Sequence, residues 1–193
     1  HVDTKKCVLV APPHMDQMYQ PDCDEYSHVI IADETPYRAF TDWRDGVTAD
    51  LYLVNLETGE RTLLFKDFRQ HPIWSPNGKY AMLYHAEKKV WYKLNPKTGE
   101  LTDVSTPIGF AMYNEEHDLP KPAAPYGIAG WLADGDQVVL YDKYDMWVVD
   151  LTGKQPTYSL TDGWGREHGI SLRLLKANRE IRWINPEQDI LLR

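Results

Sequence analysis

Two adjacent carboxylates, Glu115 and Glu116, are well suited to bind a small positively charged group. They lie in the acidic stretch 113–118, which reads YNEEHD. Two carboxylates can hold an ammonium group through charge-assisted hydrogen bonds, so we treat both as candidate substrate-binding residues. The alternative is a solvated acidic loop. His117 and Asp118 add metal-ligand residue types, but no second cluster follows at ligand spacing, so we predict no metal and no cofactor.

A second polar cluster spans residues 164–168 and reads WGREH. An arginine and a histidine beside glycines on a connecting segment can bind a carboxylate, and Arg166 and His168 are therefore further candidate substrate-binding residues. The alternative is a turn in which Arg166 and Glu167 pair with neighbouring side chains.

No set of residues points to catalysis by this chain alone. The Gly-x-Ser-x-Gly nucleophile motif does not occur, and the nearest stretch, 169–173 (GISLR), lacks the second glycine and lies in a strand pattern. A glycosidase or lyase would need an organised carboxylate pair or a metal, which the sequence does not indicate. Histidines without zinc-protease spacing or a nucleophile partner are His14, His28, His71 and His85.

Composition narrows the classes of partner. The net charge of −8 argues against nucleic acid, because a polyanion repels an acidic chain. No apolar run approaches the roughly 20 residues that cross a bilayer, so we expect no membrane span. Aromatic residues make up 12% of the chain, which favours a β-rich architecture. Cys7 and Cys23 allow at most one disulfide, and the choice between a bridge and two thiols stays open.

Two turn motifs recur and indicate the elements that position these residues. A Thr-Gly turn follows an aromatic-rich strand three times, and its glycines Gly59 and Gly99 are 40 residues apart. A Trp-x-x-Asn/Asp-Gly motif occurs at 74–78 and 131–135. Asn-Gly and Asp-Gly tolerate positive φ and make tight hairpin turns. The stretch 71–84 (HPIWSPNGKYAMLY) is therefore predicted to be two inner strands joined by a Ser-Pro-Asn-Gly hairpin.

Short antiparallel strands that repeat about every 40 residues predict an all-β fold built from β-propeller blades. We expect about three to four blades, each a four-stranded antiparallel sheet. A meander in a β-sandwich is the alternative. We expect 1–193 to be a single partial domain of a ring of roughly seven or eight blades, or else a closed four-bladed propeller. The predicted blades are about 26–66, 67–106 and 126–161, with a partial blade at 165–193 and an inserted loop at 105–127.

Some strands are predicted individually. In the first blade, residues 27–31 and 37–40 are expected to be the inner strands, and residues 5–10 are expected to form an orphan strand before it. The partial fourth blade is predicted from the apolar runs at 170–175, 180–185 and 189–193. The tryptophans expected in the core between blades are Trp74, Trp131, Trp147 and Trp183.

Residues 74–80 (WSPNGKY) resemble the blade motif of TolB-like, WD-like propellers and of the propeller domains in prolyl oligopeptidase-type serine peptidases. A longer pattern is similar to the propeller of large exported peptidases of that family. It comprises 126–131 (YGIAGW), 139–147 (VLYDKYDMW) and 160–166 (LTDGWGR).

The resemblance implies a supporting role. In the family, such a propeller covers an α/β-hydrolase domain, which this chain lacks, and filters or positions its peptide substrate. In dipeptidyl-peptidase relatives two propeller glutamates hold the free amino terminus of the substrate. The resemblance implies this role for Glu115 and Glu116, which lie in a different sequence context here. The implied partners are the hydrolase domain of the same parent chain and a peptide, and the implied location is the periplasm or cell surface. The alternative function is a TolB-like protein-interaction module without an attached enzyme.

Overall fold

Alternating apolar residues and glycine-containing turns divide the chain into three four-stranded antiparallel sheets. The structure, a computed structural model, describes residues 7–15, 17–40, 48–132, 135–175, 183–185 and 190–193. Each sheet keeps its strands in chain order. The first contains β1 (Gln17–Tyr19), β2 (His28–Asp33), β3 (Ala49–Asn55) and β4 (Arg61–Phe68); the second contains β5 (Ile73–Trp74), β6 (Ala81–His85), β7 (Val90–Asn95) and β8 (Glu100–Asp103); the third contains β9 (Ile128–Leu132), β10 (Gln137–Tyr141), β11 (Met146–Asp150) and β12 (Tyr158–Ser159).

The predicted all-β propeller architecture is confirmed. A four-stranded antiparallel meander is the repeating unit of a β-propeller, and three such meanders follow one another in the described part of the chain. The first strands of the three sheets line one cavity of about 560 Å³, and Tyr19, Trp74 and Trp131 contribute to its wall. The predicted hairpin in 71–84 is also confirmed, because β5 pairs with β6 through Ile73 opposite Met82 and Trp74 opposite Ala81.

Apolar side chains between neighbouring sheets form the core. One cluster joins the first and second sheets and includes Ile30, Leu51 and Leu83. A second joins the second and third sheets and includes Met82, Trp91 and Leu140. Because alternate residues of a strand point to opposite faces, β6 supplies both clusters: Met82 and Tyr84 face the third sheet, and Ala81 and Leu83 face the first.

The first sheet differs from its prediction. Residues 38–40, expected in a strand, form a short 3-10 turn (Arg38–Phe40), and the sheet begins earlier, at β1. Pro36 offers no backbone N–H two residues before this turn, which disfavours a ladder strand there. The strand predicted at 27–31 corresponds to the first four residues of β2 and the residue before them.

The terminal segments are only partly described. Residues 7–10 are not in a strand, and 5–6 lie outside the described residues. At the other end, Arg173 and Arg193 exchange backbone hydrogen bonds of 3.0 and 2.9 Å, and Leu175 donates to Leu191. Such antiparallel pairing suits the start of a further sheet, but the predicted strands at 180–185 and 189–193 lie partly outside the described residues. The blade boundaries stay predictions.

The tryptophan prediction is right for three residues and wrong for one. Trp74 and Trp131 are buried, and Trp147 is partly buried against the second core cluster. Trp183 is 40% exposed. Its backbone forms a parallel bridge with Trp131 at the inner edge of β9, which leaves the indole at the surface.

The strands define two sides of the molecule. On the turn side lie the links after the first and third strands of each sheet, including 20–27, 75–80 and 151–157. On the connection side lie the links after the second and fourth strands, including 104–127 and 142–145. The candidate residues Glu115, Glu116, Arg166 and His168 all lie in connections or elements of the connection side.

Candidate functional site

The long connection between β8 and β9 is packed onto the sheets rather than projecting into solvent. Met112 is buried in the cluster between the second and third sheets. The Tyr84 hydroxyl donates to the Ala123 carbonyl at 3.0 Å, and burial raises the pKa of Tyr84, which keeps this donor protonated. Tyr113 forms an antiparallel bridge with Pro125. The acidic tip at Glu115 and Glu116 is therefore carried on a closed, anchored loop.

Glu115 and Glu116 differ in their surroundings. The Glu116 carboxylate accepts a 2.7 Å hydrogen bond from Lys143 Nζ, which lies in the β10–β11 connection. That hydrogen bond and the charge of Lys143 hold the pKa of Glu116 below its ordinary value. The Glu115 backbone N–H donates to the Tyr126 hydroxyl at 3.4 Å. The Glu115 carboxylate has no hydrogen-bond or ion-pair partner among the described residues. One carboxylate of the candidate pair is thus paired and the other is open.

Arg166 lies in the short helix α1 (Trp164–His168) and is held by a buried carboxylate. Its Nη2 donates to Asp142 Oδ2 at 2.7 Å, and the Asp142 side chain is 1% exposed. The Phe110 ring covers the guanidinium at 4.0 Å from the ring centroid, and Tyr144 lies at 5.3 Å. The pairing alternative described above therefore holds for Arg166, and its binding of a ligand carboxylate stays a prediction.

Asp142 and Asp145 form the scaffold under this arginine. Asp142 also accepts hydrogen bonds from the backbone N–H groups of Tyr144 and Asp145 and from the Trp147 indole. Asp145 accepts from the Thr161 hydroxyl and from the backbone N–H groups of Gly165 and Arg166. These bonds satisfy two buried carboxylates and fix α1 to the third sheet.

The His168 ring contacts Trp164 of its own helix. Its ring stacks on Trp164 with 4.1 Å between ring centroids, and its Nδ1 lies 2.9 Å from the Trp164 carbonyl, so the ring donates from that nitrogen. Trp164 is about half exposed. The arrangement leaves only Nε2 of His168 for a ligand, and the predicted binding role stays untested.

Other polar groups on this side have structural partners. The Ser171 hydroxyl, in the stretch nearest to a nucleophile motif, donates to the Lys143 carbonyl at 2.7 Å. Cys7 and Cys23 are free thiols. Within the described part of the chain, no three histidine, cysteine or carboxylate side chains are grouped as metal ligands. No helix in that part has the length and apolar character needed to cross a membrane.

The Asp142–Asp145 network was not predicted from the sequence. The available signal was an Asp-x-x-Asp turn that joins two strongly apolar strands, where a carboxylate can accept the free N–H groups of the turn. Sequence alone did not show that Arg166, more than twenty positions away, would pair with the first of these aspartates.

Comparison with known proteins supplies fold-level likenesses only. No family model and no curated protein matches the chain. TolB from Acinetobacter baumannii is 16% identical, with a TM-score of 0.39 over 75% of this chain and 32% of that chain. The β-propeller domain of the Trilobed protease from Pyrococcus furiosus is 15% identical, with a TM-score of 0.37 over 74% and 42%. The chain thus spans less than half the length of either structure, and the propeller assignment rests on the strand order of its own sheets.

Proposed function

We propose that this chain is part of a β-propeller that positions peptide substrates for an α/β-hydrolase domain of the same parent protein, an exported serine peptidase of the prolyl oligopeptidase type. The observation that carries the proposal is the anchored 104–127 connection. It presents the open Glu115 carboxylate beside the Glu116–Lys143 pair. Because the loop backbone is already anchored, ligand binding needs little further ordering of the loop.

The proposed mechanism assigns binding and no chemistry to this chain. The free amino terminus of a peptide binds the Glu115 carboxylate, and Glu116 stays paired with Lys143 beside it. Arg166, oriented by Asp142, offers its remaining N–H groups to oxygen acceptors of the peptide. The nucleophile, base and oxyanion hole belong to the hydrolase domain, and the parent protein acts in the periplasm or at the cell surface.

Exposed apolar side chains suggest where the hydrolase domain packs. Phe110 is 41% exposed and Leu119 is 56% exposed, and both lie in the 104–127 connection. Trp164 and Ile170 add apolar surface around α1. Apolar surface of this kind often marks a protein interface. The same surface also supports the second candidate function, a TolB-like module that binds a separate protein and has no attached enzyme.

The full reading frame decides between the two functions. A downstream Gly-x-Ser-x-Gly motif followed by an aspartate and a histidine supports the peptidase. Its absence rules the peptidase out and leaves the interaction module, whose partner would then be sought by pull-down.

If the motif is present, the full-length protein should be assayed on short peptides with a free or an acetylated amino terminus. Glu115→Gln is expected to raise KM about tenfold for the free-amine peptides and to leave the acetylated peptides unchanged, because a charge-assisted bond is lost. Glu100→Gln in β8 is the matched control, since Glu100 lies on the turn side. Equal effects on both peptides would contradict the assigned role of Glu115.

A further inference from the structure

The turn between β6 and β7 has a lysine where two other turns of the chain have glycine. The backbone N–H of Lys89 closes this turn on the His85 carbonyl at 2.8 Å. Gly59 and Gly99 close the turns after β3 and β7 through a hydrogen bond of the same spacing and length. The φ of Lys89 is 59°, against 76° and 71° for the two glycines. This backbone is strained for a residue with a Cβ, which raises the question of what the lysine side chain does.

The Lys89 side chain reaches a cavity on the connection side. Its ammonium lies 4.4 Å from the centroid of the Tyr113 ring, and both residues line a cavity of about 370 Å³. The cavity lies between the β6–β7 turn and the 104–127 connection, and Thr106 and Phe110 in its wall are exposed to solvent. Ligand pockets measure roughly 300–1,000 Å³, so a side chain of a peptide and its neighbours can fit.

The positive charge of Lys89 is not neutralised within the cavity. Its ammonium forms no ion pair among the described residues, and none of the described lining residues is acidic. Lys88 also lines the cavity, but its ammonium lies 5.7 Å from the centroid of the Tyr92 ring in β7. The cavity therefore offers a ligand one ammonium, that of Lys89, next to an aromatic ring.

Ser105 adds a hydroxyl donor to the same cavity. This residue is 4% exposed, and its hydroxyl oxygen accepts the Trp91 backbone N–H at 2.9 Å, which fixes it two positions along β7 from Lys89. Its backbone N–H donates to Asp103 at 3.0 Å. The hydroxyl proton takes part in no hydrogen bond among the described residues, so it can be donated to a ligand oxygen.

We propose that this cavity binds the side-chain carboxylate of a glutamate or aspartate in a peptide. The carboxylate accepts from the Lys89 ammonium and the Ser105 hydroxyl, and the neighbouring peptide residue packs on the exposed Phe110 ring. One ammonium matches the single charge of a carboxylate better than the double charge of a phosphate. The site depends neither on Glu115 nor on an attached hydrolase domain.

The test is an NMR titration of the intact chain that follows the Cε–Hε resonances of Lys89 and the ring resonances of Tyr113. The probes are acetyl-Ala-Glu-Phe-amide, its glutamine and phosphoserine counterparts, and acetyl-Ala-Phe with a free terminal carboxylate. Every probe has an acetylated amino terminus, so the result is independent of the amine-binding role proposed for Glu115.

A saturable shift is expected with the glutamate peptide, at a Kd about tenfold below that of the glutamine peptide, because only the glutamate forms a charge-assisted hydrogen bond. The absence of a saturable shift, or equal Kd values for these two peptides, overturns the proposal. Tighter binding of the phosphoserine peptide or of the free-terminus peptide also overturns it, because the ligand would then be of another class.

Charge variants identify the residue that binds. Lys89→Gln should weaken binding of the glutamate peptide about tenfold, whereas Lys89→Arg keeps a positive charge and should retain binding. Lys97→Gln is the matched control, since Lys97 is an exposed lysine in a turn-side turn, and it should bind like the wild type. Unchanged affinity in Lys89→Gln overturns the assignment.

A glycine variant separates binding from stability without any ligand. Lys89→Gly should leave Tm unchanged or raise it, because the strained φ is relieved, and it should weaken peptide binding as much as Lys89→Gln. A Tm lowered by several degrees would mean that the contact of Lys89 with Tyr113 stabilises the fold, and it would count against a lysine retained for binding.

Discussion

On the turn side the three sheets repeat the same local hydrogen bonds, whereas on the connection side each sheet is built differently. After β3, β7 and β11 the side chains of Asn55, Asn95 and Asp150 each accept backbone N–H groups of the following turn. The glycine that closes each turn has a φ between 71° and 76°. In the described part of the chain, the connection side instead carries an anchored loop after the second sheet and a five-residue helix after the third. Buried aspartates flank the β2–β3 connection (Asp33, Asp50) and the β10–β11 connection (Asp142, Asp145) but are absent from the β6–β7 connection. The repeated side builds the fold, and the irregular side holds the candidate sites.

The turn side also joins neighbouring sheets. A Cβ on Gly78 would lie 2.7 Å from the Cys23 Sγ of the first sheet's β1–β2 connection, and one on Gly135 would lie 2.9 Å from the Asn77 side chain of the second sheet. The glycine of the Trp-x-x-Asn/Asp-Gly motif thus provides a positive φ and also room for the preceding sheet. The motif therefore specifies a contact between sheets as well as a turn.

The largest expected effect is on the connection side. Asp142→Ala removes a buried carboxylate that accepts from Arg166, from two backbone N–H groups and from an indole, and it should lower the free energy of unfolding by about 3–5 kcal/mol. Urea unfolding measures the loss. Asn95→Ala, which removes a single turn-side acceptor, should cost about 1 kcal/mol. Comparable losses in the two variants would contradict the contrast between the sides.

Alanine substitutions at two glycines test the contact between the first and second sheets. Gly78→Ala should cost about 2–4 kcal/mol, from a strained positive φ and from the clash with Cys23. Gly99→Ala has a similar φ but no atom within 4 Å of the added Cβ, so it should cost only about 1–2 kcal/mol. Thermal unfolding of both variants gives the difference, and equal costs would mean that the turn side does not couple the sheets.

Asp150 makes one turn sensitive to acid. Burial alone would raise the pKa of Asp150, but hydrogen bonds from Thr152, Gln155 and Lys154 outweigh burial and lower it. The pKa of Asp150 is lower in the folded state than in the unfolded state. Ionised Asp150 therefore makes its full contribution to the free energy of unfolding above about pH 4, and this contribution is lost as the pH falls through the folded-state pKa. Urea unfolding from pH 6 to pH 3 should therefore show a shallower decline for Asp150→Asn than for the wild type. Parallel curves would argue against ionised Asp150 as the acceptor.

The smallest expected effect is that of a surface ion pair between sheets. Lys79 Nζ lies 2.9 Å from Asp136 Oδ1, and the lysine side chain is 56% exposed. Exposed pairs contribute about 0–1 kcal/mol, so Lys79→Gln should lower stability by less than 1 kcal/mol and less still in 0.5 M salt. A larger, salt-independent loss would contradict the treatment of this pair as a weak, solvent-screened contact.

Sequence predicted the turn side well because its features are local. The Thr-Gly and Asn-Gly turns depend on residues within a few positions of each other, and they locate β5 to β8 and β9 to β12. The first sheet was less predictable, since β1 is three residues long and has no Trp-Ser-Pro-Asn-Gly motif. Tyr37 and Phe40 are strand-forming residue types, but Arg38 and Ala39 between them are not, and the preceding Thr35-Pro36 favours a turn.

On the connection side, the sequence predicted which charged residues lie in the loops but not which partners they contact. Glu115, Glu116, Arg166 and His168 were identified as charged residues in loops, yet the pairing of Glu116 with Lys143 and of Arg166 with Asp142 depends on contacts between distant segments.

The most direct test of the account is a set of cross-strand backbone NOEs measured on the intact chain. The propeller arrangement predicts contacts between facing pairs in all three sheets, such as Ile31 with Tyr52, Leu83 with Tyr92 and Val139 with Val148. Among β1 to β12 it also predicts that each sheet pairs only consecutive strands, and the bridge between Trp131 and Trp183 lies outside these strand pairs. NOEs that join strands of different sheets edge to edge, as in a β-sandwich with Greek-key connections, would contradict the fold and the division into a repeated side and a site-bearing side.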